Sequence, residues 1–571
     1  MGIMQNRKKN ITRFALLALI LLAANILSAK FSLRFDLTKE KRFSLSNGTK
    51  QMLKNLKEPA TIKVLLEGKF PAGFQNLQNR TTQVLSEFQN ASNGKVRFTF
   101  ENPLEGKSDE EKVEVYEQLQ NSFGINPVNL QVQEDESKSQ QIVFPAAIVS
   151  HNGKDIPVNL LENHQGMSPL EILEYAGTQL EYKFARSIKN AAKTARADIA
   201  YITGQGQDLG WNTFDMLGRL GMMYNLDTID INQNIEIPQH FKAIIICGPK
   251  EEIDNKAKFK LDQYIMQGGR VLWFIDQLET GMTDLEKQNA YLSVKRELNL
   301  EDMLFKYGVR INPDLIEDLQ LNLPIPITVG EIGGRPDIQL LPWVYFPNSV
   351  PTSPHPIVKN MDGIMFQFAS SMDTIANDIK KTVLLHSSNR SRKVAAPVRV
   401  SLSDLRFKPK VELFKEKDIP MAVLLEGKFE SVFTNRLDPK FMETYTGELG
   451  KKFLPTCERD NKMIVVSNAA VFHNDVSEKT GPLETGFYKY TKQTYGNRNF
   501  ILNALEYLTD DDNILDARGK DLSVRVLDMK RVKNEKLNWQ ALNIGLPILL
   551  TLLFASAFLF FRKKKYTGKV S

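Results

Sequence analysis

Two uncharged apolar runs lie near the ends of the chain, and a long middle of mixed polarity separates them. The runs cover residues 14–29 and 537–561. A helix needs roughly 20 apolar residues to cross a hydrocarbon layer, so the second run is long enough and the first is near the lower limit. Charged neighbours can extend the first run because their stems reach back to the membrane interface. The pattern predicts transmembrane helices at 14–33 and 541–561.

The charge of the two tails predicts how the chain is oriented. Residues 1–13 and 562–571 carry nine basic and no acidic side chains. Because short segments rich in Lys and Arg stay in the cytoplasm, both tails are predicted to be cytoplasmic, with residues 34–536 forming a periplasmic body on a bacterial inner membrane. A cleavable signal peptide is the alternative for the first run, although Leu27-Ser28-Ala29 is an incomplete cleavage site.

Charge and cysteine content exclude several classes of function. The formal net charge is +7, and removing the nine basic tail residues leaves −2, which is not the charge of a nucleic-acid-binding body. Cys247 and Cys457 alone cannot build a disulfide scaffold. The six histidines contain no pair at metal-ligand spacing. We therefore expect no nucleic-acid partner, no metal site and no cofactor, whereas membrane lipid is a partner that the apolar ends imply.

Residues 34–195 alternate between the patterns typical of strands and of helices. Their order resembles a thioredoxin-type arrangement, but no Cys-x-x-Cys is present, so we expect a scaffold without redox chemistry. Asn152-Gly153 is a strong hairpin signal between the last two strands. The predicted strands are 61–66, 95–100, 128–132, 144–150 and 154–160, and the main predicted helices are 77–88, 113–123 and 169–192.

Residues 196–300 are predicted to form a doubly wound α/β domain with a parallel sheet. Continuous apolar runs at 244–246 and 271–275 suit strands that are buried on both faces. Strands alternate with helical patterns, as they do in parallel sheets. The predicted strands are 198–203, 226–231, 243–247 and 270–275, and the predicted helices are 214–224 and 257–267.

Residues 301–536 are predicted to be a mixed α/β region. Eight of the 25 prolines fall within 324–356. Because proline lacks an N–H donor, we expect this segment to be extended and irregular, and to lie across another surface of this chain or of a partner. Strands are predicted at 382–385, 421–425 and 463–467, and a helix at 499–508. The overall prediction is a multidomain α/β body with a membrane helix at each end.

One heptapeptide occurs twice in the chain. Residues 64–70 and 423–429 are both Val-Leu-Leu-Glu-Gly-Lys-Phe. An ordinary strand followed by a glycine turn explains each copy. Two alternatives remain, in which the copies line one shared surface or are relics of a duplicated half.

Candidate ligand-binding residues lie at the carboxyl ends of two strands of the doubly wound domain. Thr203, Gly204, Gln205 and Gly206 follow the first strand, where such folds bind ligands. Glycines permit close backbone approach, and the next helix offers free N–H groups to an anionic or hydroxyl-rich ligand. Asp276, which follows a later strand, completes the candidate set. A plain turn without a ligand is the alternative.

No catalytic set is evident in the sequence. Gly106-Lys107-Ser108 lacks the first glycine of a phosphate-binding loop. Cys247 ends a strand like a nucleophile elbow, but no glycine precedes it at the required position and Pro249 hinders entry into a helix. A buried structural thiol is the simpler interpretation. No Ser/His/Asp order and no carboxylate pair argues for acid–base chemistry, so we expect a protein that is not an enzyme.

Short stretches spread along the chain are shared with one known family. They are residues 34–38, 43–46, 201–206, 261–264, 268–270, 307–309, 426–429 and 495–497. With these motifs and both apolar ends, the chain resembles the gliding-motility auxiliary protein GldG over nearly its whole length. The resemblance implies an auxiliary subunit of an ABC-type transporter, whose partners are a multi-span permease and a separate cytoplasmic ATPase.

The middle domain is also similar to a module shared with a ciliary transport protein, which resembles sugar-binding and amidotransferase-like α/β domains. This chain departs from the family at two places. The family's His-Gly-Glu is Gln205-Gly206-Gln207 here, and its Ser-Asp-Gly-Asp type of turn is Ser467-Asn468-Ala469-Ala470. Both departures remove ionisable side chains, so the resemblance implies less hydrolytic or metal-dependent chemistry here than in relatives.

Three functions follow as hypotheses. The leading one is a non-catalytic, membrane-anchored auxiliary subunit that binds a permease and an envelope glycan or protein. The alternative is an envelope glycan-binding or hydrolase-like protein that uses the 203–207 loop. The third is a mechanical scaffold of the cell envelope that acts through the proline-rich segment.

Overall fold

A computed structural model gives the fold of residues 14, 16–17, 19–22, 44–134, 137–161, 167–192, 196–448, 450–510, 514–519 and 529–567. The chain divides into two compact units, residues 1–520 and 521–571. Most of the first predicted membrane segment, 14–33, lies outside the described residues. Those of its residues that are described are helical and carry exposed apolar side chains.

The first part of the larger unit contains a small mixed sheet with helices. Its strands are β1 (Ala60–Val64), β2 (Val96–Phe100), β3 (Val128–Glu134), β4 (Ser137–Val143), β5 (Ala146–His151) and β6 (Lys154–Asn159). Its helices are α1 (Asn47–Lys54), α2 (Ala72–Ala91), α3 (Asp109–Phe123) and α4 (Pro169–Ala192). The sheet order is β2-β1-β5-β6, with β1 and β2 parallel and the other pairs antiparallel, while β3 and β4 pair separately. The assignment to the thioredoxin type remains a prediction.

Local sequence explains several element boundaries in this region. The Ser108 hydroxyl accepts the Glu111 N–H, and the Glu111 carboxylate accepts the Ser108 N–H, which caps the start of α3 at both residues. Asn152 and Gly153 have φ values of 52° and 71°, so the turn between β5 and β6 uses the left-handed backbone that Asn-Gly tolerates. The predicted hairpin is therefore confirmed.

The centre of the larger unit is a seven-stranded sheet. Its first four strands along the chain are β7 (Asp198–Thr203), β8 (Asn225–Asp230), β9 (Ala243–Cys247) and β10 (Arg270–Phe274), and the helices between them are α5 (Phe214–Met223) and α6 (Asn255–Met266). The chain continues through α7 (Met282–Gln288), β11 (Ala290–Ser293), α8 (Glu301–Tyr307), β12 (Val309–Ile311), β13 (Asp314–Asp318), β14 (Asn322–Ile332), β15 (Arg335–Ser349), β16 (Ile364–Met365), β17 (Met372–Thr374), β18 (Lys380–His386), β19 (Ser391–Ala395), β20 (Val398–Ser401) and β21 (Pro420–Gly427). It ends with α9 (Pro439–Glu443), β22 (Asn461–Val466), β23 (Val476–Ser477), β24 (Gly481–Pro482), β25 (Phe487–Tyr488), β26 (Gln493–Thr494) and α10 (Asn497–Thr509).

The central sheet takes strands from both sides of residue 300, where the sequence predicted a domain boundary. Its order is β18-β21-β22-β10-β9-β7-β8. The five neighbouring strands β22, β10, β9, β7 and β8 are parallel to one another. Strand β21 is antiparallel to β22, and β18 is antiparallel to β21. A boundary at residue 300 would therefore divide this sheet. The sequence does not reveal this, because the composition of a strand predicts its burial but not which distant strand is its neighbour.

Both faces of the central sheet are buried, as the continuous apolar runs predicted. Leu272 and Phe274 of β10 pack into one hydrophobic cluster, and Val271 and Trp273 pack into another on the opposite face. Apolar residues of α4 and α10 belong to the first cluster, and those of α6 belong to the second. The sheet is therefore covered by helices on both sides, as parallel sheets require.

The proline-rich segment 324–356 is extended, as predicted, but residues 324–349 are regular rather than irregular, so that part of the prediction was wrong. Strands β14 and β15 form a long antiparallel hairpin in which Pro324 lies opposite Pro342. A two-stranded ribbon has outer N–H positions without ladder partners, and register shifts relax the pairing further, so prolines are tolerated. The base of the hairpin is buried and its far half, approximately residues 328–340, is largely exposed.

The glycine of the repeated heptapeptide has the same backbone conformation in the two copies. Val64 is the last residue of β1 in one copy, whereas β21 continues to Gly427 in the other. The glycines, Gly68 and Gly427, have φ values of 147° and 144°. Backbone of this kind favours glycine, so a strand with a glycine turn accounts for the repeat.

The second unit contains one long helix, α11 (Met529–Thr567), of 39 residues. Within the described residues, Glu535–Lys564 is the helical stretch long and apolar enough to cross a membrane, with a mean hydropathy of 2.4. Pro547 lies inside the helix, and its carbonyl accepts the Thr551 hydroxyl at 2.7 Å. Such prolines are tolerated in membrane helices. The apolar helix predicted at 541–561 is therefore confirmed and extends beyond both predicted ends.

We expect His355, in the stretch after β15, to make stability depend on pH. Burial lowers the pKa of His355 from 6.5 to about 4, and its Nδ1 accepts the Ile357 N–H. Between these values the unfolded chain binds a proton that the folded chain does not, so stability falls as the pH drops from 6.5 towards 4. His355→Gln should reduce the loss of unfolding free energy between about pH 7 and about pH 5 by about 1.5 kcal/mol, as measured by urea titration.

The matched control is His240→Gln, since His240 is exposed. This variant should keep the pH dependence of the unmodified protein. Equal slopes for the two variants would contradict the role given to His355.

Candidate functional site

The central sheet changes its direction of growth at β7, and we call the region beyond the carboxyl ends of the neighbouring strands the crevice. The chain adds β8 on one side of β7 and then places β9 on the other side. The carboxyl ends of these parallel strands therefore border a topological switch point, which is where doubly wound sheets bind ligands. The predicted loop after β7 lies at this crevice.

The loop after β7 uses many of its polar groups within the protein. The Gln205 N–H donates to Gln207 Oε1 at 2.8 Å, and the Gln205 carbonyl accepts from the N–H groups of Lys250 and Glu251. The Gly204 carbonyl accepts Asn232 Nδ2 at 2.7 Å, and the Thr203 hydroxyl donates to the Ile229 carbonyl. These bonds hold the loop in one conformation. Its predicted role in binding a ligand remains a prediction.

Gly204 and Gly206 have the left-handed backbone that explains their presence. Their φ values are 113° and 71°. A Cβ at Gly204 would lie 2.6 Å from Asp230 Oδ1. Glycine at this position is therefore required by the turn itself, which is a reason independent of any ligand.

Asp276 is held by the loop that follows β22. Its Oδ1 accepts Asn468 Nδ2 at 2.9 Å and the Ala469 N–H at 2.8 Å. Because β9 lies between β7 and β10, Asp276 is not adjacent to the 203–206 loop in the sheet. The turn at 467–470, which departs from the family pattern, is thus the partner of the predicted site residue Asp276.

The structure adds a Cys–His–Asp group that the sequence did not assign to one site. Cys247 Sγ lies 3.7 Å from His473 Nε2, and Asp208 Oδ2 lies 4.0 Å from the same nitrogen. Lys250 Nζ pairs with Asp208 Oδ1 at 2.6 Å, and the Tyr201 hydroxyl donates to the Asp208 carbonyl. Cys247 and His473 are 226 positions apart, so only the strand-end position of Cys247 was visible in the sequence.

The electrostatics of this group favour uncharged side chains. Burial, with the nearby carboxylates of Asp276 and Asp208, holds the pKa of the Cys247 thiol well above its ordinary value. Burial also lowers the pKa of His473, against the influence of the same two carboxylates. A reactive cysteine requires a thiolate, so this pair is not poised for nucleophilic attack near neutral pH.

An exposed aromatic pair lies on the segment that leaves the crevice. Trp211 and Phe214 are 65% and 66% exposed, and their rings stack with centroids 6.4 Å apart. Asn474 ties this segment to the loop that carries His473, because its Nδ2 donates to the Trp211 carbonyl at 2.8 Å. Such aromatic faces offer stacking surfaces beside the polar groups of the crevice. The sequence does not single out this pair, because neither the alternation of apolar and polar residues nor the position of strand ends points to Trp211 and Phe214.

The described residues contain no group of three or more His, Cys, Asp or Glu side chains placed to hold a metal ion. At the crevice, the polar groups that face one another are the Asp208 carboxylate, the Lys250 ammonium and the His473 imidazole. They can donate and accept hydrogen bonds to a polar ligand without a metal.

The fold and the apolar helix define a membrane-associated protein with a large α/β body. Residues 196–504, more than half of the chain, match the family described as ABC-type uncharacterized transport system. The chain belongs to this family, and an auxiliary role in transport follows at that level. Residues 39–150 match a domain of unknown function.

One similar protein and one solved structure add little detail. An uncharacterized protein of Borreliella burgdorferi (strain ATCC 35210 / DSM 4680 / CIP 102532 / B31) is 22% identical over 414 residues, which are 71% of this chain and 74% of the relative. A solved structure described as mmIFT52 N-terminal domain aligns with 55% of this chain and 98% of its own length, at 13% identity and a TM-score of 0.29. That score is too low to support a structural argument.

We expect Asp276→Ala to destabilise the body. The change removes the acceptor of two hydrogen bonds from the loop after β22, which should lower the unfolding free energy by about 2 kcal/mol. Urea unfolding of the full chain in mild detergent, followed by tryptophan fluorescence, to which the buried Trp273 and Trp343 contribute, measures this change.

Asp460→Ala is the matched control because Asp460 is exposed. Its effect should stay within about 0.5 kcal/mol. Equal stability of Asp276→Ala and Asp460→Ala would show that Asp276 does not stabilise the fold, and would favour the ligand-binding role that the sequence predicted.

Proposed function

We propose that this protein is a non-catalytic auxiliary subunit of an ABC-type transporter, anchored in a bacterial inner membrane with its α/β body in the periplasm. The observation that carries the proposal is the helix Glu535–Lys564, which is long and apolar enough to cross a membrane. Family membership over residues 196–504 supports the transport role. A connection with gliding motility rests on the sequence resemblance and is part of the proposal.

The long apolar helix gives a site for a permease. Large side chains along it are exposed, for example Phe554 at 74% and Leu552 at 63%. Within a bilayer such a surface contacts either lipid tails or another membrane helix. The basic residues Arg562 to Lys565 at the end of this helix support a cytoplasmic position for that end, where a separate ATPase subunit would act.

The crevice supports a role without catalysis. The thiol and the imidazole are shifted towards their neutral forms, and the predicted loop is fixed by internal hydrogen bonds. A subunit of this kind acts by binding, so transport energy comes from a partner that hydrolyses ATP.

Purification from native membranes tests the proposed assembly. The full chain with an affinity tag, extracted in mild detergent, should recover a multi-span permease and a nucleotide-binding ATPase, identified by mass spectrometry. We expect this because a subunit that does not hydrolyse ATP depends on a partner that does. A second tagged chain, in which an unrelated apolar helix replaces Glu535–Lys564, separates contacts made by this helix from contacts made by the body.

Recovery of neither subunit by the unmodified chain would contradict the proposal. Reporter fusions give an independent check of orientation. A fusion after residue 571 should report the cytoplasm, and a fusion in the 328–340 tip of the hairpin should report the periplasm. The opposite result would reverse the proposed topology.

A second candidate function is binding of an envelope glycan at the crevice. The observation that favours it is the exposed stacked pair, Trp211 and Phe214, beside Gln207 and Asp208. Sugars bind through stacking on aromatic faces combined with hydrogen bonds to amide and carboxylate groups. In this proposal the loop of Thr203, Gly204, Gln205 and Gly206 positions those polar groups, and Asp276 holds the loop after β22 that leads to His473.

If a glycan binds there, Trp211→Ala should weaken the binding of soluble peptidoglycan fragments about tenfold because it removes the larger stacking face. Isothermal titration calorimetry on the full chain measures the affinity. Phe407→Ala is the control, since Phe407 is a 73% exposed aromatic residue of another region. Absence of binding by the unmodified chain, or equal affinities for both variants, would count against this function.

A further inference from the structure

A large cavity lies away from the crevice, at the base of the β14–β15 hairpin. Its volume is about 860 Å³, within the range of roughly 300–1,000 Å³ that small-molecule sites occupy. One wall comes from β15, another comes from β19 and β20, and the segment 404–414 closes the remaining side. We refer to it as the hairpin cavity.

Aromatic and aliphatic side chains form the inner walls of the hairpin cavity. Trp343 and Tyr345 are 1% and 4% exposed, and their rings meet edge to face with centroids 5.1 Å apart. Phe414 is also buried. Val344 and Val394 add aliphatic surface. The buried aromatic rings support the walls from behind, and the apolar surface open to a bound molecule comes from partly exposed side chains such as Val344, Val394 and Leu413. Contact with these side chains removes apolar surface from water.

Positive charge dominates the lining. Five lining residues are basic and two are acidic, a net of three positive charges. Glu317 is neutralised by Arg392 at 2.5 Å, and Asp404 lies 3.6 Å from Arg399. The two acidic groups therefore already have cationic partners.

Three further cations of the lining are Arg406, Lys408 and Lys410. All three are exposed, and none forms an ion pair with another residue in the described part of the chain. They stand on the same segment as Phe407, Val411 and Leu413, whose apolar side chains are also exposed. The mouth of the cavity thus combines free positive charge with an apolar rim.

We propose that the hairpin cavity binds an anionic amphiphile, a molecule with an acyl or similar apolar body and one carboxylate or phosphate head. The apolar body packs against Val344, Val394 and Leu413. The head lies at the mouth, where Arg406, Lys408 and Lys410 supply charge-assisted hydrogen bonds. Charge complementarity favours an anionic head over a neutral one, and the apolar walls favour an acyl body over a free inorganic anion.

Photolabelling of the full chain tests this site. The protein is reconstituted in nanodiscs of zwitterionic lipid and exposed to diazirine-bearing dodecanoate, lysophosphatidic acid or dodecanol, and labelled peptides are mapped by mass spectrometry. The two anionic probes should label residues 341–345 or 404–414. The neutral alcohol should label these residues about tenfold less, because it lacks the charged contacts.

A charge-reversal variant shows whether the cations are responsible. The triple variant Arg406→Glu, Lys408→Glu, Lys410→Glu should lose about tenfold in labelling by both anionic probes. The control reverses the same number of exposed charges elsewhere, as Lys57→Glu, Lys69→Glu, Lys107→Glu, and should label like the unmodified chain. All six positions are exposed, so both variants are expected to fold, and thermal unfolding checks this.

Several outcomes would overturn the proposal. Labelling confined to Glu535–Lys564 would show ordinary contact with membrane lipid. Equal labelling by dodecanol would show that the site does not require an anionic head. Full displacement of the probes by inorganic phosphate would show that it does not require an apolar body. Protection of 341–345 by an apolar peptide, without labelling by any amphiphile, would make the cavity a docking site for a protein segment. A difference between the carboxylate and phosphate probes identifies the preferred head.

Discussion

The parallel pairing of β10 with β22 is the interaction on which the rest of the body depends. Val271 to Phe274 lie beside Met463 to Val466 in continuous register. Side chains fix this pairing at both ends. Before β10, Asn461 Nδ2 donates to the carbonyls of Ile265 and Gly269, each at 2.9 Å, and after it Asp276 accepts from the loop that follows β22. The pairing places β10 inside the sheet, between β9 and β22, and the loop after β22 brings His473 to Cys247, so the core and the crevice depend on the same contact.

The crevice and the hairpin cavity show two ways in which one scaffold presents chemistry. At the crevice, polar groups satisfy one another, and burial moves the thiol and the imidazole towards neutrality. At the hairpin cavity, three cations have no acidic partner in the described part of the chain, and aromatic walls lie behind them. Groups that are already satisfied hold a structure together, whereas unpaired charge beside apolar surface is available for a ligand. The two sites therefore have different capacities despite similar residue types.

Local features of the fold were predictable and long-range ones were not. Asn152-Gly153 fixes a hairpin through backbone preference alone, and the apolar run of α11 fixes a membrane helix by its length. The place of β22 beside β10 depends on an encounter between distant segments, and a buried strand has the same apolar pattern whichever neighbour it has. The proline-rich hairpin was missed because proline is costly only where the ladder requires its N–H. At the site, the strand-end rule found Gln205, but no local pattern connects Cys247 with His473.

Because β22 completes the centre of the sheet, the order of synthesis constrains folding. The ribosome makes the chain from the amino terminus, so β7 to β10 emerge long before their last parallel neighbour. Until residue 466 is available, one edge of β10 presents unpaired backbone groups and an apolar strand, which is a surface prone to aggregation. Soon afterwards the chain reaches the apolar helix α11. The central sheet thus receives β22 only shortly before that helix is made, and a holding chaperone would be most useful to the nascent chain before this point.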